Sequence, residues 1–257
     1  MKKITAALGI KNEEWIIDRT LSALDIICDK IIIVDDHSID KTEDICRSYD
    51  KVEWHQTREH EWKVRDDGYQ KMIAIDALHK HNPDYVLFLD ADEIPFPNIA
   101  NFVENMTEDE SNINLWKLPF VHLWQDENHY RVDSFNTSKG VHVNYDPFNG
   151  GARKGTLMKW TEGYEYKYRM DHHILPMEPM NTPEPHSTTN ETGILHYGKI
   201  SEYFKTGKKD EDYAAMRSHT MGFNLNERIV HHEQCRDEKT LELKSINPNW
   251  AWSYNYA

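Results

Sequence analysis

Asp84-Tyr-Val-Leu-Phe-Leu-Asp-Ala-Asp-Glu93 runs an apolar stretch straight into three carboxyl groups. Tyr85 to Leu89 follows the helix-stopping pair Asn82-Pro83 and is short and continuous, as expected of a strand buried on both faces. In open α/β sheets ligands sit beyond the carboxyl ends of the strands, and here that end is acidic. Alternation along an extended backbone places Asp90 and Asp92 on the same side. Two carboxylates so placed suit a hard divalent cation that prefers oxygen ligands, Mn²⁺ or Mg²⁺.

The same design recurs upstream. Ile4 to Ile10 reads as a first strand and runs into Gly9-Ile-Lys11-Asn12-Glu-Glu14. Asn12 is the expected N-cap of a helix reaching about Cys28, with Glu13 and Glu14 in its first turn, where the helix dipole favours them. Ile31 to Val34 is β-branched throughout and ends in Asp35-Asp36-His37-Ser38, a turn into a helix near Asp40 to Tyr49. Val52 to His55 is a third strand, and Arg65 to His81 has helical character. The resulting β-α-β-α-β-α-β order predicts a mostly parallel sheet with helices on both faces. Three of its strands then end in polar or acidic residues, which says more than any one motif.

Beyond Pro97 the pattern loosens. Ile113 to Trp124 reads as one long strand or a bent pair, Gly155 to Trp160 as another, and Gly193 to Tyr197 as a last short one. The polar, Gly- and Asn-rich stretch from Asp126 to Gly151 is expected to be a loop excursion over the sheet. Ile200 to Phe204, Asp210 to Arg217 and Asn226 to Glu238 look helical. In the tail, Trp250, Trp252, Tyr254 and Tyr256 alternate, which suits an edge strand with its indoles packed on the domain.

Composition narrows the function. The chain has 257 residues, 39% of them hydrophobic and 29% charged, with a formal net charge of −14. Such an acidic balance argues against nucleic acid, which is gripped through phosphates by clustered Lys and Arg. No apolar run approaches the length of a transmembrane segment. Met1-Lys2-Lys3 before the first strand has the outline of a signal peptide but lacks a small-residue cleavage site. Cys28, Cys46 and Cys235 are odd in number and far apart, so a cytoplasmic setting is expected, with peripheral docking at a membrane were the substrate a lipid. His172-His173 and His231-His232 with Cys235 lack the spacing of a zinc site.

In order and spacing, Lys3 to Leu24, Ile31-Ile-Ile-Val-Asp-Asp-His-Ser-Ile-Asp40 and Asp84 to Glu93 resemble family 2 glycosyltransferases of the GT-A fold. The second segment departs from the family pattern at His37, where Gly or Asn is commoner. The resemblance covers roughly the first hundred residues. It implies an α/β GT-A domain over 1–200, with a nucleotide-binding half (1–97) and an acceptor-side half (98–200). A C-terminal helical extension (201–257) would pack on it. By the same resemblance Asp36 would hydrogen-bond the nucleotide base with Lys11 beside it, and Arg65 would contact the nucleotide unless it is only a solvated residue at a helix start. Asp90 would face the ribose or the metal, and Asp92 would be the principal metal ligand. His196, in Ile194-Leu-His-Tyr-Gly-Lys199, would return to the metal as a third protein ligand. Apart from the resemblance, Lys199, Lys205, Lys208 and Lys209 follow closely, and one of them, Lys199 first, is expected to clamp the diphosphate. Asp35 is left to cap its turn.

The implied reaction moves a sugar from a nucleotide-diphosphate-sugar to an acceptor hydroxyl with inversion. A carboxylate must then take the acceptor's proton. Asp171, beside His172 and His173, is the first candidate, with Glu162 and Glu184 as alternatives. The acceptor stays open among glycan, lipid-linked and protein substrates. Two other readings compete: a nucleotidyltransferase of related fold, which usually has a Gly-rich basic loop after the first strand, and a non-catalytic nucleotide-sugar-binding relic.

Overall fold

The computed structural model describes residues 1–59, 67–136, 142–162, 186–207 and 241–252. Its first half alternates as the sequence pattern requires: β1 (Ile4–Ile10), α1 (Ile17–Ile27), β2 (Lys30–Asp35), α2 (Thr42–Arg47), β3 (Val52–Gln56), α3 (Asp67–His81) and β4 (Tyr85–Asp90). A short β5 (Glu93–Pro95) and α4 (Ile99–Glu104) follow. The second half is mostly extended, with β6 (Leu115–Trp124), β7 (Asp126–Arg131), β8 (Ser134–Asn136), β9 (His142–Asn144) and β10 (Arg153–Lys159). It closes with β11 (His186–Thr188), β12 (Ile194–His196), α5 (Glu202–Lys205) and β13 (Leu243–Ser245).

The strands lie in the order β13-β7-β6-β10-β4-β1-β2-β3. β4, β1, β2 and β3 are parallel, and β10 enters antiparallel between β4 and β6. The chain leaves β1 in one direction through β2 and β3, then returns to its other side with β4. That reversal makes the carboxyl ends of β1 and β4 the topological switch point, the place where α/β sheets take ligands.

Alternation sorts the apolar residues onto two faces. Leu8, Ile31, Ile33 and Leu87 pack with Ile17, Leu21 and Leu24 of α1. Ala7, Ile32, Val34 and Val86 pack with Ala74, Ile75, Ala77 and Leu78 of α3. Each fully buried large side chain contributes roughly 1.5–3 kcal/mol, which is why runs without polar residues become the inner strands.

Three expectations change. Asn12 does not cap α1: it takes a left-handed φ of 55°, and the helix starts at Ile17. Its amide instead donates to Ser38 Oγ (2.8 Å) and its Oδ1 accepts from the Ile39 amide (2.8 Å), joining the loops after β1 and β2. Nor is 126–151 a loop excursion, since β7, β8 and β9 occupy much of it. The stretch looks polar because the centre of its core is a charged residue. Arg131 is 1% exposed, donates to Asp133 at 2.5 and 2.8 Å, and lies over the rings of Trp124 (4.5 Å) and Tyr145 (4.7 Å). Finally, the tail is not an edge strand at Trp250. Pro248–Trp250 is a 3-10 turn, and the edge strand is β13, paired with β7. The indoles do pack on the domain: Trp250 stacks on Phe96 and Phe148, and Trp252 Nε1 donates to the Pro95 carbonyl at 2.8 Å. The helices expected over 210–217 and 226–238 lie outside the described residues.

Replacing Arg131 with Met takes the guanidinium from a buried carboxylate and is expected to cost about 3–5 kcal/mol of stability, read from urea unfolding. The double variant Arg131→Met/Asp133→Leu is expected to recover most of that loss, because the uncompensated charge goes as well.

Candidate functional site

The switch point gathers the predicted strand ends because the strands are in register. Gly9 of β1 lies opposite Asp90 of β4, and Ile10 lies opposite Asp35 of β2. Lys11 and Asp36 therefore come next to each other, with Lys11 Nζ 3.2 Å from Asp36 Oδ2. The Asp36 carboxylate is fully buried, and the Thr57 hydroxyl donates to its other oxygen. Asp35 has a different task. It accepts from the amide of Ser38 at 2.9 Å and from the Ser38 hydroxyl, closing the turn as expected. Gln70 of α3 donates to the carbonyls of Ile10 and Val34, both at 2.8 Å.

β4 ends in the acidic cluster. Asp90, Asp92 and Glu93 bring carboxylate oxygens within 4.8 Å of one another. Glu93 is 2% exposed and accepts from the Asp90 amide at 3.0 Å. Lys154 of β10 reaches across, its ammonium 2.5 and 2.6 Å from the Glu93 oxygens and 3.2 Å from Asp90 Oδ2. Burial pushes the Glu93 carboxyl up to about 8, with Asp90 and Asp92 adding to the rise and Lys154 opposing it. Burial also works against the Lys154 ammonium, but Asp90 and Glu93 outweigh it and hold this lysine above its ordinary range. Behind the cluster, Thr20 of α1 donates to the Ala91 carbonyl at 2.5 Å.

β12 supplies the opposite wall. It lies antiparallel to β5 and parallel to β6, placing His196 opposite Glu93 on one side and His122 on the other. His196 Nε2 is 3.3 Å from Asp92 Oδ2, and its ring stacks on Phe120 at 4.8 Å. The Tyr197 amide donates to the Asp92 carbonyl at 2.8 Å. Gly198 follows, where a Cβ would collide with Asp92 Oδ2 and lie 2.7 Å from His196 Nε2.

Of the residues expected from sequence, Lys11, Asp36, Asp90, Asp92 and His196 come together at one end of the sheet. The Lys199 ammonium sits over the Phe204 ring at 4.1 Å. Glu162 is exposed and is not brought to the cluster. It follows Lys159, which faces Tyr85 at the amino end of β4, whereas Asp90 stands at the carboxyl end. Arg65, Asp171, Glu184, Lys208 and Lys209 lie outside the described residues. Sequence reasoning gave no role to Glu93, Lys154, His122 or Gly198. Glu93 adjoins the Asp90-Ala-Asp92 pair and was within reach of that reasoning, but Lys154 and His122 enter only through strand pairing.

The chain belongs to glycosyl transferase family 2, whose family model matches residues 8–158. The match runs from β1 to β10, and the fold is the mixed α/β arrangement of GT-A. Crystal structures of glucosyl-3-phosphoglycerate synthase from Mycobacterium tuberculosis are similar to part of it. The complex with Mn²⁺, UDP and glucosyl-3-phosphoglycerate is 21% identical over 48% of this chain and 44% of that one, with a TM-score of 0.37. A further structure of that enzyme is 24% identical over 47% and 45%, with a TM-score of 0.37. Its complex with phosphoglyceric acid is 26% identical over 48% and 44%, with a TM-score of 0.36. This chain thus spans less than half the length of those structures. None of the curated proteins matches it.

Because a methyl group at Gly198 has no room, Gly198→Ala is expected to displace Asp92 and His196 while leaving the core intact. The check is a near-wild-type urea midpoint combined with shifted NMR signals of the His196 imidazole. Lys154→Met removes the counter-charge of the buried Glu93 and raises its carboxyl further, so the stability lost relative to wild type, read from urea unfolding, is expected to grow as pH rises through about 8, where wild-type Glu93 ionises beside Lys154. That loss should shrink in the double variant Lys154→Met/Glu93→Gln.

Proposed function

We propose that this chain is a glycosyltransferase that uses a divalent cation to move a sugar from a nucleotide-diphosphate-sugar to an acceptor hydroxyl, with inversion. The observation that carries the reading is the acidic cluster of Asp90, Asp92 and Glu93 at the switch point, faced by His196. The donor set fits Mn²⁺ or Mg²⁺: carboxylate oxygens, with one imidazole nitrogen that Mn²⁺ also accepts.

In this reading Asp92 and His196 hold the metal, with Asp90 turned to it or to the ribose. Bound there, the metal would supply Lewis-acid stabilisation of the diphosphate leaving group. Lys11 and Asp36 serve the nucleotide base. Lys11 and Thr57 hold the Asp36 carboxylate still at the end of β2. Arg65 and Lys199 are assigned to the nucleotide and the diphosphate, and Asp171 to deprotonating the acceptor. The donor half is 1–97 and the acceptor-side half is 98–200, although Lys154 and His196 of the second half serve the donor site.

The acceptor is a glycan, a lipid-linked sugar or a protein. Among the described residues no helix is long and apolar enough to cross a membrane. A cytoplasmic enzyme, docking peripherally for a lipid-linked acceptor, agrees with that.

The test is a thermal-shift panel of UDP, GDP, dTDP and CDP, each with and without Mn²⁺. A ligand at about 100 times its dissociation constant adds roughly 2.7 kcal/mol to the native state. One diphosphate is expected to raise Tm strongly, and only with metal. Asp92→Asn is expected to unfold like wild type but to lose that metal-dependent rise and all transfer. An Asp92→Asn variant with full transfer activity would sink the proposal.

A further inference from the structure

His196 is gripped at both ring nitrogens. Nε2 looks toward Asp92 Oδ2 at 3.3 Å, and Nδ1 lies 2.8 Å from Nδ1 of His122. His122 is itself well fixed. Strand register sets it opposite His196, and its ring stands edge-on to Phe120 (4.8 Å, 88°) and Tyr145 (5.2 Å, 85°). Two neutral imidazoles meeting through their Nδ1 atoms form a hydrogen bond only if one carries the proton and the other offers the lone pair. The proton position on either ring therefore dictates that on the other.

From this geometry we infer that His122 is a positioning residue for the metal centre proposed above, on which the inference rests. To offer its Nε2 lone pair to a cation, His196 must carry its proton on Nδ1. His122 Nδ1 is then the acceptor, with its own proton on Nε2. This is the service that a carbonyl or carboxylate commonly gives a metal-ligating histidine. An imidazole adds something a carbonyl lacks, because it can reverse the bond. Without the cation, His196 Nε2 takes a proton from solvent and faces Asp92, the Nδ1 proton passes to His122 Nδ1, which becomes the donor, and His122 Nε2 returns a proton to solvent. One side chain thus keeps the His196 ring aimed at Asp92 in both states, so that little reorientation is needed when metal arrives.

The experiment is a Mn²⁺ titration, with the metal alone, followed by loss of the free-ion EPR signal. It compares wild type, Asp92→Asn, His122→Phe and His122→Asn, with thermal unfolding of each as the fold control. His122→Phe keeps a ring against Phe120 and Tyr145 but cannot hydrogen-bond. It is expected to weaken Mn²⁺ binding by about 10–100-fold at a near-wild-type Tm. His122→Asn places an amide oxygen near the lost Nδ1 and is expected to stay within a few-fold of wild type. Wild-type affinity in His122→Phe overturns the inference. So does an equal loss in both His122 variants, since packing alone would then be responsible. Should His122→Phe lose its cooperative transition, His122→Leu takes its place in the comparison. If wild type takes up no Mn²⁺, or Asp92→Asn takes it up unchanged, the metal centre itself is refuted and the role of His122 falls with it.

Discussion

Three carboxyl groups crowded at the end of a buried strand are an electrostatic problem that the surrounding structure is arranged to contain. Coulomb repulsion between like charges a few ångströms apart is strong wherever water is displaced, and Glu93 is almost wholly buried. Lys154 relieves part of it by bridging Glu93 and Asp90, and the Phe120 ring lies 5.7 Å beneath its ammonium. The same Phe120 stacks on His196, so one aromatic side chain backs both the internal cation and the imidazole. Lys154 belongs to β10, the strand that joins the parallel half of the sheet to the antiparallel half. The seam between the halves and the charge balance of the site are therefore one feature. Relief is incomplete, as the raised Glu93 shows.

Backbone contacts hold the frame around this charge. The Ala91 carbonyl takes the Thr20 hydroxyl, the Asp92 carbonyl takes the Tyr197 amide, and the Asp90 amide donates to Glu93. Every residue from Asp90 to Asp92 is thus tied by its main chain to a different element. At the neighbouring strand ends, side chains do similar work. Besides Asn12, Glu13 donates its amide to Thr42 Oγ1, Glu14 donates its amide to Asp40, and the Glu14 carboxylate accepts from the Lys41 amide. The loops after β1 and β2 form a single body, and Lys11 and Asp36 ride on it. A site placed on strand ends and bound loops holds its geometry more closely than one on free loops.

The first half was legible because each of its signals is local. An uninterrupted apolar run, a proline stop and an acidic terminus lie close together around β4, and an apolar run into a polar or acidic end repeats for β1 and β2. Asp36, Asp90 and Asp92 were visible because they follow directly from those runs. The second half was opaque for an equally physical reason. β7 is exposed along its first three residues and buries an arginine at its end, so alternation in hydrophobicity had nothing to register. Asn12 misled because Asn is as good a left-handed turn residue as it is an N-cap, and only its contact with Ser38 and Ile39, in another loop, decides between the two. His196 was found through the company it keeps in the chain, Leu-His-Tyr-Gly. Lys154 and His122 keep no such company, and nothing short of the pairing of β10 and β6 with their neighbours could have placed them.

That asymmetry has a functional logic. The end of the site that carries Lys11 and Asp36 is assembled from the first two strands and their loops, close in sequence and tightly bonded. The end that carries Asp92 and His196 needs β4, β5, β6, β10 and β12, drawn from more than a hundred residues of chain. A cluster assembled from such distant segments comes together only when those strands have paired. Gly198 shows how little slack is left once it does, since a single methyl group there would separate Asp92 from His196. The acidic cluster thus holds its partners under steric control, and that suits a group of charges which, left without counter-charge, would destabilise the fold that carries it.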